Sequence, residues 1–299
     1  MICMGTGDIK YLDRTTGEIV TETVMGDGAL RFAYNTLLGR TLWPVLFGGR
    51  FVSALMGKYY DSPASRKDIA RLTAIPGCDP SEAEYPVEYY NSFNDFFARR
   101  LKAGARVIDH NENVLVSPAD GRISVHENLL PSTPIPVKGA KRSINELCGT
   151  VLPEKPFTVA VVRLAPVDYH RYHYPCDCCA DGALQIIPGK YHSVNPVALL
   201  RRPDLFVENT RHVAKFISPV FGNFLMIEVA AFGVGSIIQT SGGEKFQKMD
   251  EKGFFKFGGS TVIMVFEADR IRFDEDILTA SAQDMEVLVR CGSHIAEVK

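Results

Sequence analysis

The run Thr261–Phe266 constrains the fold more than any other stretch of this chain. It reads Thr-Val-Ile-Met-Val-Phe, in which β-branched residues alternate with other apolar residues. Such a short apolar run, rich in β-branched side chains, is typical of a buried strand. Gly258, Gly259 and Ser260 stand directly before it. The sequence therefore predicts a turn at the paired glycines that leads Ser260 into a buried strand.

The Gly-Gly-Ser-Thr segment has two interpretations. In the first it is an ordinary β-turn, in which glycine supplies positive φ and serine bonds its own backbone. In the second, the glycines leave the Gly259 carbonyl open to attack by the neighbouring Ser260 hydroxyl, which converts the amide to an ester. These four residues alone favour the turn, so the choice depends on the rest of the chain.

The chain after Asn113 carries short β-type runs separated by Gly, Pro and Asn. The short connections predict a largely antiparallel β-rich domain, which we place at residues 106–299, after a helical N-terminal region at 1–105. We therefore expect the α+β class, with N-terminal amphipathic helices before a β-rich, mostly antiparallel catalytic domain. Besides the run Thr261–Phe266, the predicted strands are Val114–Val116, Arg122–Val125, Thr158–Leu164, Leu184–Ile187, Val213–Ile217, Phe224–Ala231 and Glu286–Val289.

The N-terminal region begins with a polar, turn-rich stretch, residues 1–26, which predicts a short hairpin or a loose tail. Apolar residues then recur at helical spacing between Leu30 and Tyr59, interrupted at Pro44, and predict two amphipathic helices. Their polar positions carry Arg31, Arg40, Arg50 and Lys58, with Trp43, Phe47 and Phe51 nearby. This pattern fits helices lying on an anionic membrane surface. It fits equally a helical hairpin packed on its own domain or on a second subunit, as in a homodimer.

Two shorter helices are predicted before the β-rich domain. Ser62-Pro63 begins one that continues through Leu72 and ends before Pro76-Gly77. Ser92 and Asp95 form a capping-box pattern for a helix over Phe93–Leu101.

Composition excludes several classes of protein. The net charge of −2 and pI near 6.4 predict no broad nucleic-acid footprint. No uncharged apolar run reaches the roughly 18 residues of a spanning helix, and no N-terminal secretion signal is recognised. The seven cysteines are odd in number, which favours a reducing, cytosolic environment. The Cys176, Cys178 and Cys179 cluster lacks a zinc-type C-x-x-C spacing, so we expect no metal.

Candidate catalytic groups precede Ser260 along the chain. Asp120 lies in S-P-A-D-G-R, where an Asx-turn is the ordinary role of such an aspartate. His170 and His173 follow a predicted buried strand, with Asp168 nearby, and surface clustering is their ordinary explanation. On a helical turn the two rings would share a face, whereas in an extended segment they would lie on opposite sides. A serine nucleophile needs a base and an orienting carboxylate, and Asp120, His173 and Ser260 supply these three parts.

Several segments in this order resemble the phosphatidylserine decarboxylase family. The family's Pro-Ala-Asp-Gly, Asp-Tyr-His-Arg-x-His and Gly-Ser-Thr segments all occur in this sequence. Further matches are F-N-D-F-F from Phe93, Val137-Lys138-Gly139, Pro188-Gly189 with Ser193-Val194-Asn195, and V-A-A-F-G-V-G-S-I from Val229. The resemblance is dense over about residues 90 to 267, and coincidence is improbable when so many motifs occur together.

The resemblance implies self-cleavage between Gly259 and Ser260 into a large and a small chain, which leaves a pyruvoyl cofactor derived from Ser260. It places Asp120, His173 and Ser260 in the self-cleavage triad and gives His170 a role in decarboxylation. The implied reaction converts phosphatidylserine to phosphatidylethanolamine and carbon dioxide, through a Schiff base between substrate amine and pyruvoyl group. The implied location is peripheral, on the cytoplasmic side of the cell membrane.

Three alternatives to this function stay open at the level of sequence. The same pyruvoyl chemistry could act on a soluble amino acid, although the basic amphipathic helices favour a lipid. An intact Ser260 could serve a serine hydrolase, although the chain lacks a Gly-x-Ser-x-Gly elbow. A membrane-bound scaffold whose Ser260 never matures is the non-enzymatic alternative.

Overall fold

The structure is a computed structural model that describes residues 10–22, 50–135, 142–190, 204–230, 237–258 and 260–299, with the side chains of 50–54 left out. The helices in these ranges are α1 (Arg50–Asp61), α2 (Ile69–Thr73), α3 (Phe93–Phe97), α4 (Ile144–Cys148), α5 (Leu205–Glu208) and α6 (Glu275–Ala282). Short 3₁₀ helices cover Pro63–Asp68, Pro80–Glu82 and Val87–Tyr89. The first predicted amphipathic helix, the motifs Val137-Lys138-Gly139 and Ser193-Val194-Asn195, and Gly259 of the predicted cleavage site lie outside the described residues.

Strands dominate the chain after residue 113, as predicted. The first eight are β1 (Lys10–Asp13), β2 (Ile19–Thr21), β3 (Val114–Val116), β4 (Gly121–Leu129), β5 (Phe157–Leu164), β6 (Arg171–His173), β7 (Cys178–Ala180) and β8 (Gln185–Ile187). The others are β9 (Arg211–Ser218), β10 (Gly222–Ala230), β11 (Ile237–Gln239), β12 (Lys245–Phe246), β13 (Glu251–Phe255), β14 (Ser260–Glu267), β15 (Ile271–Phe273), β16 (Glu286–Val289) and β17 (His294–Val298). The α+β class is confirmed.

The large sheet has the strand order β12-β7-β9-β10-β14-β5-β4-β16-β1-β2, and β8 also pairs with β9. Its pairings are antiparallel except for the parallel pair β1 and β16. Strand β14 lies in the middle of this sheet, between β10 and β5. The run Thr261–Phe266 thus belongs to a central strand of the sheet.

Both faces of β14 are covered, which explains why its sequence is apolar at every position from Val262 to Phe266. Val262, Met264 and Phe266 belong to one buried cluster, and Ile263 and Val265 belong to another. Successive side chains of a strand point to opposite faces, so a strand buried on both sides needs apolar residues at odd and even positions alike.

Two three-stranded sheets and a helical layer complete the described structure. The small sheets have the orders β11-β13-β6 and β15-β17-β3. The helical segment has its own cluster of buried side chains, which includes Phe93, Phe96 and Phe97 and extends to Ala165 and Val167 of the β-rich part. The boundary at residues 105 and 106 stays a prediction, since this cluster draws on both sides of it.

Local predictions near the N-terminal part need three corrections. Helix α3 ends at Phe97 rather than Leu101. Ser92 caps it by accepting a hydrogen bond from the Asp95 backbone, but the Asp95 carboxylate accepts from Asn91 instead of closing a capping box. The element predicted from Ser62 is a 3₁₀ helix followed by α2. The described part of residues 1–26 forms the β1–β2 hairpin, one of the two predicted outcomes.

Candidate functional site

Several strands of the large sheet end or begin in one row at Ser260. Ser260 starts β14 and pairs with Leu164, the last residue of β5, on one side and with Ala230, the last of β10, on the other. Gly121, the first residue of β4, pairs with Val289 at the end of β16. This edge therefore gathers Ser260, Asp120 just before β4, and Arg290-Cys291 just after β16.

The Ser260 hydroxyl is buried and unpaired within the described part of the chain. The residue is 1% exposed, and its Oγ finds no hydrogen-bond partner among the described residues. Buried polar groups in native proteins are nearly always paired, so an orphaned hydroxyl needs an explanation. A hydroxyl that is kept free of competing hydrogen bonds is available to react with its own backbone.

Asp120 is completely buried and held by cations. Its carboxylate accepts hydrogen bonds from Arg106 at 2.5 to 3.2 Å, from Arg290 Nη1 at 3.2 Å and from the Cys291 backbone at 2.8 Å. Burial alone would raise the pKa of Asp120, but the bonds and charge of Arg106, with the charge of Arg290, lower it below its ordinary value. Asp120 is therefore a fixed carboxylate anion at neutral pH.

His173 ends β6 beside Asp120. Its backbone nitrogen donates to Pro118 O at 2.8 Å, and its Nδ1 lies 3.4 Å from Cys291 Sγ. The ring stacks on Tyr169 with 5.8 Å between ring centroids, and it lines a cavity of about 600 Å³. Burial lowers the pKa of His173 below its ordinary value, so the ring is neutral at neutral pH and able to accept a proton.

His170 lies on the other side of the same segment. It is fully buried, its Nδ1 lies 2.9 Å from Asp168 O, and its Nε2 has no partner among the described residues. Its ring packs 3.7 Å from that of Phe97, which in turn contacts Phe257, three residues before Ser260. Burial lowers the pKa of His170 to about 3, so the ring is neutral in the uncut chain.

The extended form of the histidine segment decides the alternative that the sequence left open. Strand β6 pairs with β13, and the Phe255 backbone donates to His170 O, so the backbone is extended through both histidines. Residues three apart in a strand point to opposite sides. The two rings therefore have separate surroundings, with His173 at the cavity and His170 against the aromatic cluster.

The structure brings some of the predicted site residues together and leaves others apart. Cys291 contacts Asp120 through its backbone and His173 through its thiol, whereas Ser260 Oγ is bonded to neither histidine among the described residues. Asp168, noted for its proximity to the histidines, accepts from buried Arg122 and from the Ala165 backbone at 2.6 Å. The triad of Asp120, His173 and Ser260 stays a prediction.

Three residues of this site were not identified from the sequence. Arg106 lies in the A-R-V-I-D stretch after the predicted helix, and its pattern gave no reason to pair it with Asp120. Arg290 and Cys291 follow a predicted strand about 170 residues after Asp120, a separation over which sequence pattern carries no contact information. Only the strand pairing could have identified Arg290 and Cys291. Gly121, which follows Asp120, pairs with Val289, which precedes Arg290.

Comparison with known proteins gives matches to one family. The family model for phosphatidylserine decarboxylase matches residues 93–297. The chain belongs to the phosphatidylserine decarboxylase family. Relatives named phosphatidylserine decarboxylase proenzyme include those of Fusobacterium nucleatum, 39% identical over 97% of this chain and 98% of that protein, and Clostridium novyi, 42% identical over 96% and 98%. The relative from Ruminiclostridium cellulolyticum is 40% identical over 96% and 97%.

The span matched to the phosphatidylserine decarboxylase family contains Asp120, His170, His173, Ser260 and Cys291. The matched span begins at α3, so the two amphipathic helices predicted between Leu30 and Tyr59 lie outside it. Within the described ranges, no helix has the length and apolar character needed to cross a bilayer. In the cysteine cluster, Cys176 and Cys178 are buried in the core and Cys179 is exposed.

Proposed function

We propose that this chain is a proenzyme that cuts itself between Gly259 and Ser260 and then converts phosphatidylserine to phosphatidylethanolamine and carbon dioxide. Membership of the phosphatidylserine decarboxylase family supports the reaction, and the relatives' name supports the proenzyme. The observation that carries the self-cleavage is the buried Ser260 Oγ, which has no hydrogen-bond partner in the described part of the chain. Such a hydroxyl at the residue after paired glycines is placed by sequence to attack its own peptide bond.

The proposed cleavage proceeds through an ester, an elimination and a hydrolysis. Ser260 Oγ gives its proton to a base and attacks the Gly259 carbonyl carbon, and the peptide C–N bond breaks as the nitrogen takes a proton, which leaves an ester. Elimination removes the α-proton of residue 260 and breaks its Cβ–O bond, which frees the Gly259 carboxylate. Water then replaces the nitrogen, which leaves as ammonia, and a pyruvoyl group remains at residue 260.

His173 is the proposed base for this step, with Asp120 as the fixed carboxylate of the site. The lowered pKa of His173 keeps it neutral and able to accept the Ser260 proton. The two-sided clamp of Arg106 and Arg290 keeps Asp120 charged, so it favours a cationic ring nearby. In the described part of the uncut chain, no hydrogen bond joins Ser260 Oγ to His173. Catalytic hydrogen bonds often form only as the reaction proceeds.

The buried position of Ser260, with apolar strands on both sides, suits a pyruvoyl group, which has no charge. When present, that group supplies a carbonyl that takes up the electrons released as carbon dioxide leaves. His170 is the proposed proton carrier for decarboxylation. Its Nδ1 is held at Asp168 O, and its Nε2 has no partner in the ranges that the structure describes, so the neutral ring must take up a proton at Nε2 before it can return one to the substrate carbon.

Mass spectrometry and a decarboxylase assay test the function together. The purified wild-type protein should give a small chain that spans residues 260–299 and begins with a pyruvoyl group, and it should release carbon dioxide from phosphatidylserine vesicles. Ser260→Ala should stay one inactive chain. Full activity in an uncut protein would refute the mechanism, and equal activity on free serine would favour a decarboxylase of soluble amino acids.

The same assays should distinguish the roles of the two histidines. His173→Ala should block cleavage because it removes the base, whereas His170→Ala should cleave at least partly and lose turnover by about a hundredfold or more. A reversed result, with cleavage lost only in His170→Ala, would exchange the two roles and would agree with the contact of His170 with Phe97, whose ring contacts Phe257.

We also propose that the protein meets its substrate as a peripheral protein at an anionic membrane surface. On α1, Leu55 is 60% exposed and Tyr59 is 37% exposed, beside the exposed Lys58. Lipid substrate does not leave the bilayer readily, because each acyl CH₂ exposed to water costs about 0.8 kcal/mol. The unpaired cysteines of the described residues support the cytoplasmic side, where thiols stay reduced.

Vesicle binding tests this surface. Leu55→Ser should weaken binding to anionic vesicles and lower activity on vesicle substrate without changing self-cleavage, and binding should fall with added salt. Val151→Ser is the matched control, since Val151 is 85% exposed and lies outside the N-terminal stripes. If Leu55→Ser binds like wild type but changes subunit association, the stripe is a homodimer interface. Phe47 and Phe51, two aromatic residues of the predicted amphipathic helices, are not among the residues whose side chains are described.

A further inference from the structure

The partner of the His173 Nδ1 atom is a thiol rather than a carboxylate. Cys291 Sγ lies 3.4 Å from this nitrogen. The Asp120 carboxylate is occupied instead by Arg106, Arg290 and the Cys291 backbone. A base in a Ser-His-Asp arrangement needs a group at Nδ1 that fixes its tautomer, because only the tautomer protonated at Nδ1 leaves Nε2 free to accept a proton.

The hydrogen bonds around Cys291 leave its sulfur lone pairs available to the imidazole. The Cys291 thiol donates to Pro118 O at 3.5 Å, which directs its proton away from the imidazole. The sulfur lone pairs then face His173 Nδ1, where they can accept a hydrogen bond when the imidazole carries its proton at that nitrogen. Burial raises the pKa of Cys291 well above its ordinary value, so the thiol keeps the proton that this arrangement requires.

Cys291 is itself held by the aspartate. Its backbone nitrogen donates to Asp120 Oδ1 at 2.8 Å, and Asp120 is fixed by Arg106, which also bonds Glu82 at 2.9 and 3.0 Å. The side chain is 1% exposed, so it has no freedom to turn into solvent. A continuous set of bonds thus runs from the buried carboxylate through the cysteine to the imidazole.

We propose that Cys291 is a positioning residue for self-cleavage, which holds His173 in the tautomer protonated at Nδ1 and transmits to it the orientation set by Asp120. This inference rests on the proposed role of His173 as the base for Ser260. In it the thiol takes the place at Nδ1 that a carboxylate occupies in the usual triad, and Asp120 acts on the ring through Cys291.

Two substitutions separate this role from packing. Cys291→Val fills a similar volume but has no group to accept from Nδ1, whereas Cys291→Ser keeps both a donor and an acceptor. Each should fold, and Cys148→Val is the control for changing a buried cysteine far from the histidine, since Cys148 is fully buried in a different cluster. Thermal unfolding should verify that all three variants are folded.

The first measurement is the ¹⁵N spectrum of His173 in a Ser260→Ala background, which stays uncut and makes the result independent of activity. We expect the Nδ1-protonated tautomer in the parent protein, in Cys291→Ser and in Cys148→Val, and a mixture of tautomers in Cys291→Val. The second measurement is the rate of self-cleavage with Ser260 intact. We expect Cys291→Val to be slower by about tenfold or more, because the wrong tautomer disables the base, and Cys291→Ser to stay within a few-fold of wild type.

The Nδ1-protonated tautomer in Cys291→Val would overturn the inference, whatever its cleavage rate. So would wild-type cleavage in Cys291→Val. If the wild-type chain itself does not cleave, the proposed function fails, while the ¹⁵N spectrum still decides whether Cys291 sets the tautomer.

Discussion

At the scale of single residues, burial decides which protons the two histidines carry. His170 has lost all contact with solvent, and one backbone carbonyl is the only hydrogen-bond partner of its ring among the described residues. The cost of placing a charge there outweighs that single bond, which is why burial lowers the pKa of His170 to about 3. Burial also lowers the pKa of the half-buried His173. The same burial links the protonation of His170 to folding.

The stability of the uncut chain should fall in acid because of His170. The unfolded chain binds a proton at this ring below about pH 6.5, whereas the folded chain does not until about pH 3. Stability is therefore fully present above pH 6.5 and is lost as the pH falls toward 3, by up to about 1.4 kcal/mol per pH unit. Urea unfolding of Ser260→Ala and of Ser260→Ala with His170→Asn, across this range, measures the difference. Parallel pH profiles for the two proteins would contradict it.

Residue identities at the site were predictable where chemistry and a local motif coincide. Ser260 follows paired glycines, and Asp120, His170 and His173 lie in short motifs. These four residues could therefore be identified as candidates from the sequence alone. The partners of these residues could not be predicted, because Arg106, Arg290 and Cys291 meet Asp120 only through strand pairing and loop packing. A hydrogen-bond partner at long separation along the chain leaves no trace in local pattern.

At the scale of elements, a buried ion pair joins the large sheet to the small sheet that carries the histidines. Lys252 Nζ of β13 lies 2.9 Å from Glu228 Oε1 of β10, and the two residues are 1% and 0% exposed. Gln239 bonds both, at 3.1 Å and 2.9 Å. Glu228 pairs with Val262, two residues after Ser260, so this junction lies on the sheet face that Ser260 shares.

Breaking one side of this pair should cost far more than replacing both sides. Lys252→Met leaves the Glu228 carboxylate buried without its cation, and we expect a loss of about 3 to 5 kcal/mol. Lys252→Met with Glu228→Leu removes both charges and should recover most of that loss. Guanidinium unfolding of the uncut Ser260→Ala forms measures both. Equal stability of the single and double variants would mean that Glu228 finds another partner or is protonated without cost.

Element types were predicted better than element ends. The strand β14 and most other predicted strands are present, because burial on one or both faces leaves a clear pattern. The end of α3 was missed because Phe97 to Leu101 keep a helical pattern while tertiary contacts, such as the Arg99 hydrogen bond to Val167 O, determine the backbone. The capping box that the structure does contain, at Ser143 and Glu146 of α4, is the Ser-x-x-Glu pattern that Ser92 only half fulfils.

At the scale of the whole molecule, the proposed cut separates two chains whose strands are interleaved. Of the strands in residues 260–299, β14 pairs with β10 and β5, β16 pairs with β4 and β1, and β17 pairs with β3. Each of these partners lies before residue 259. Helix α6 packs on the same structure, since Ser281 accepts a hydrogen bond from the Val125 backbone of β4 at 2.9 Å.

The two chains should therefore stay together after cleavage. Removal of β14 alone would expose both neighbouring strands at the centre of the large sheet and the apolar residues on its two faces, at a cost of about 25 cal/mol for each Å² of apolar surface. We expect the cut protein to elute from a sizing column at the volume of the uncut Ser260→Ala chain, and to separate into two chains only in denaturant. Release of the small chain in native buffer would mean that β14 leaves its place between β10 and β5 once Gly259 and Ser260 are no longer joined.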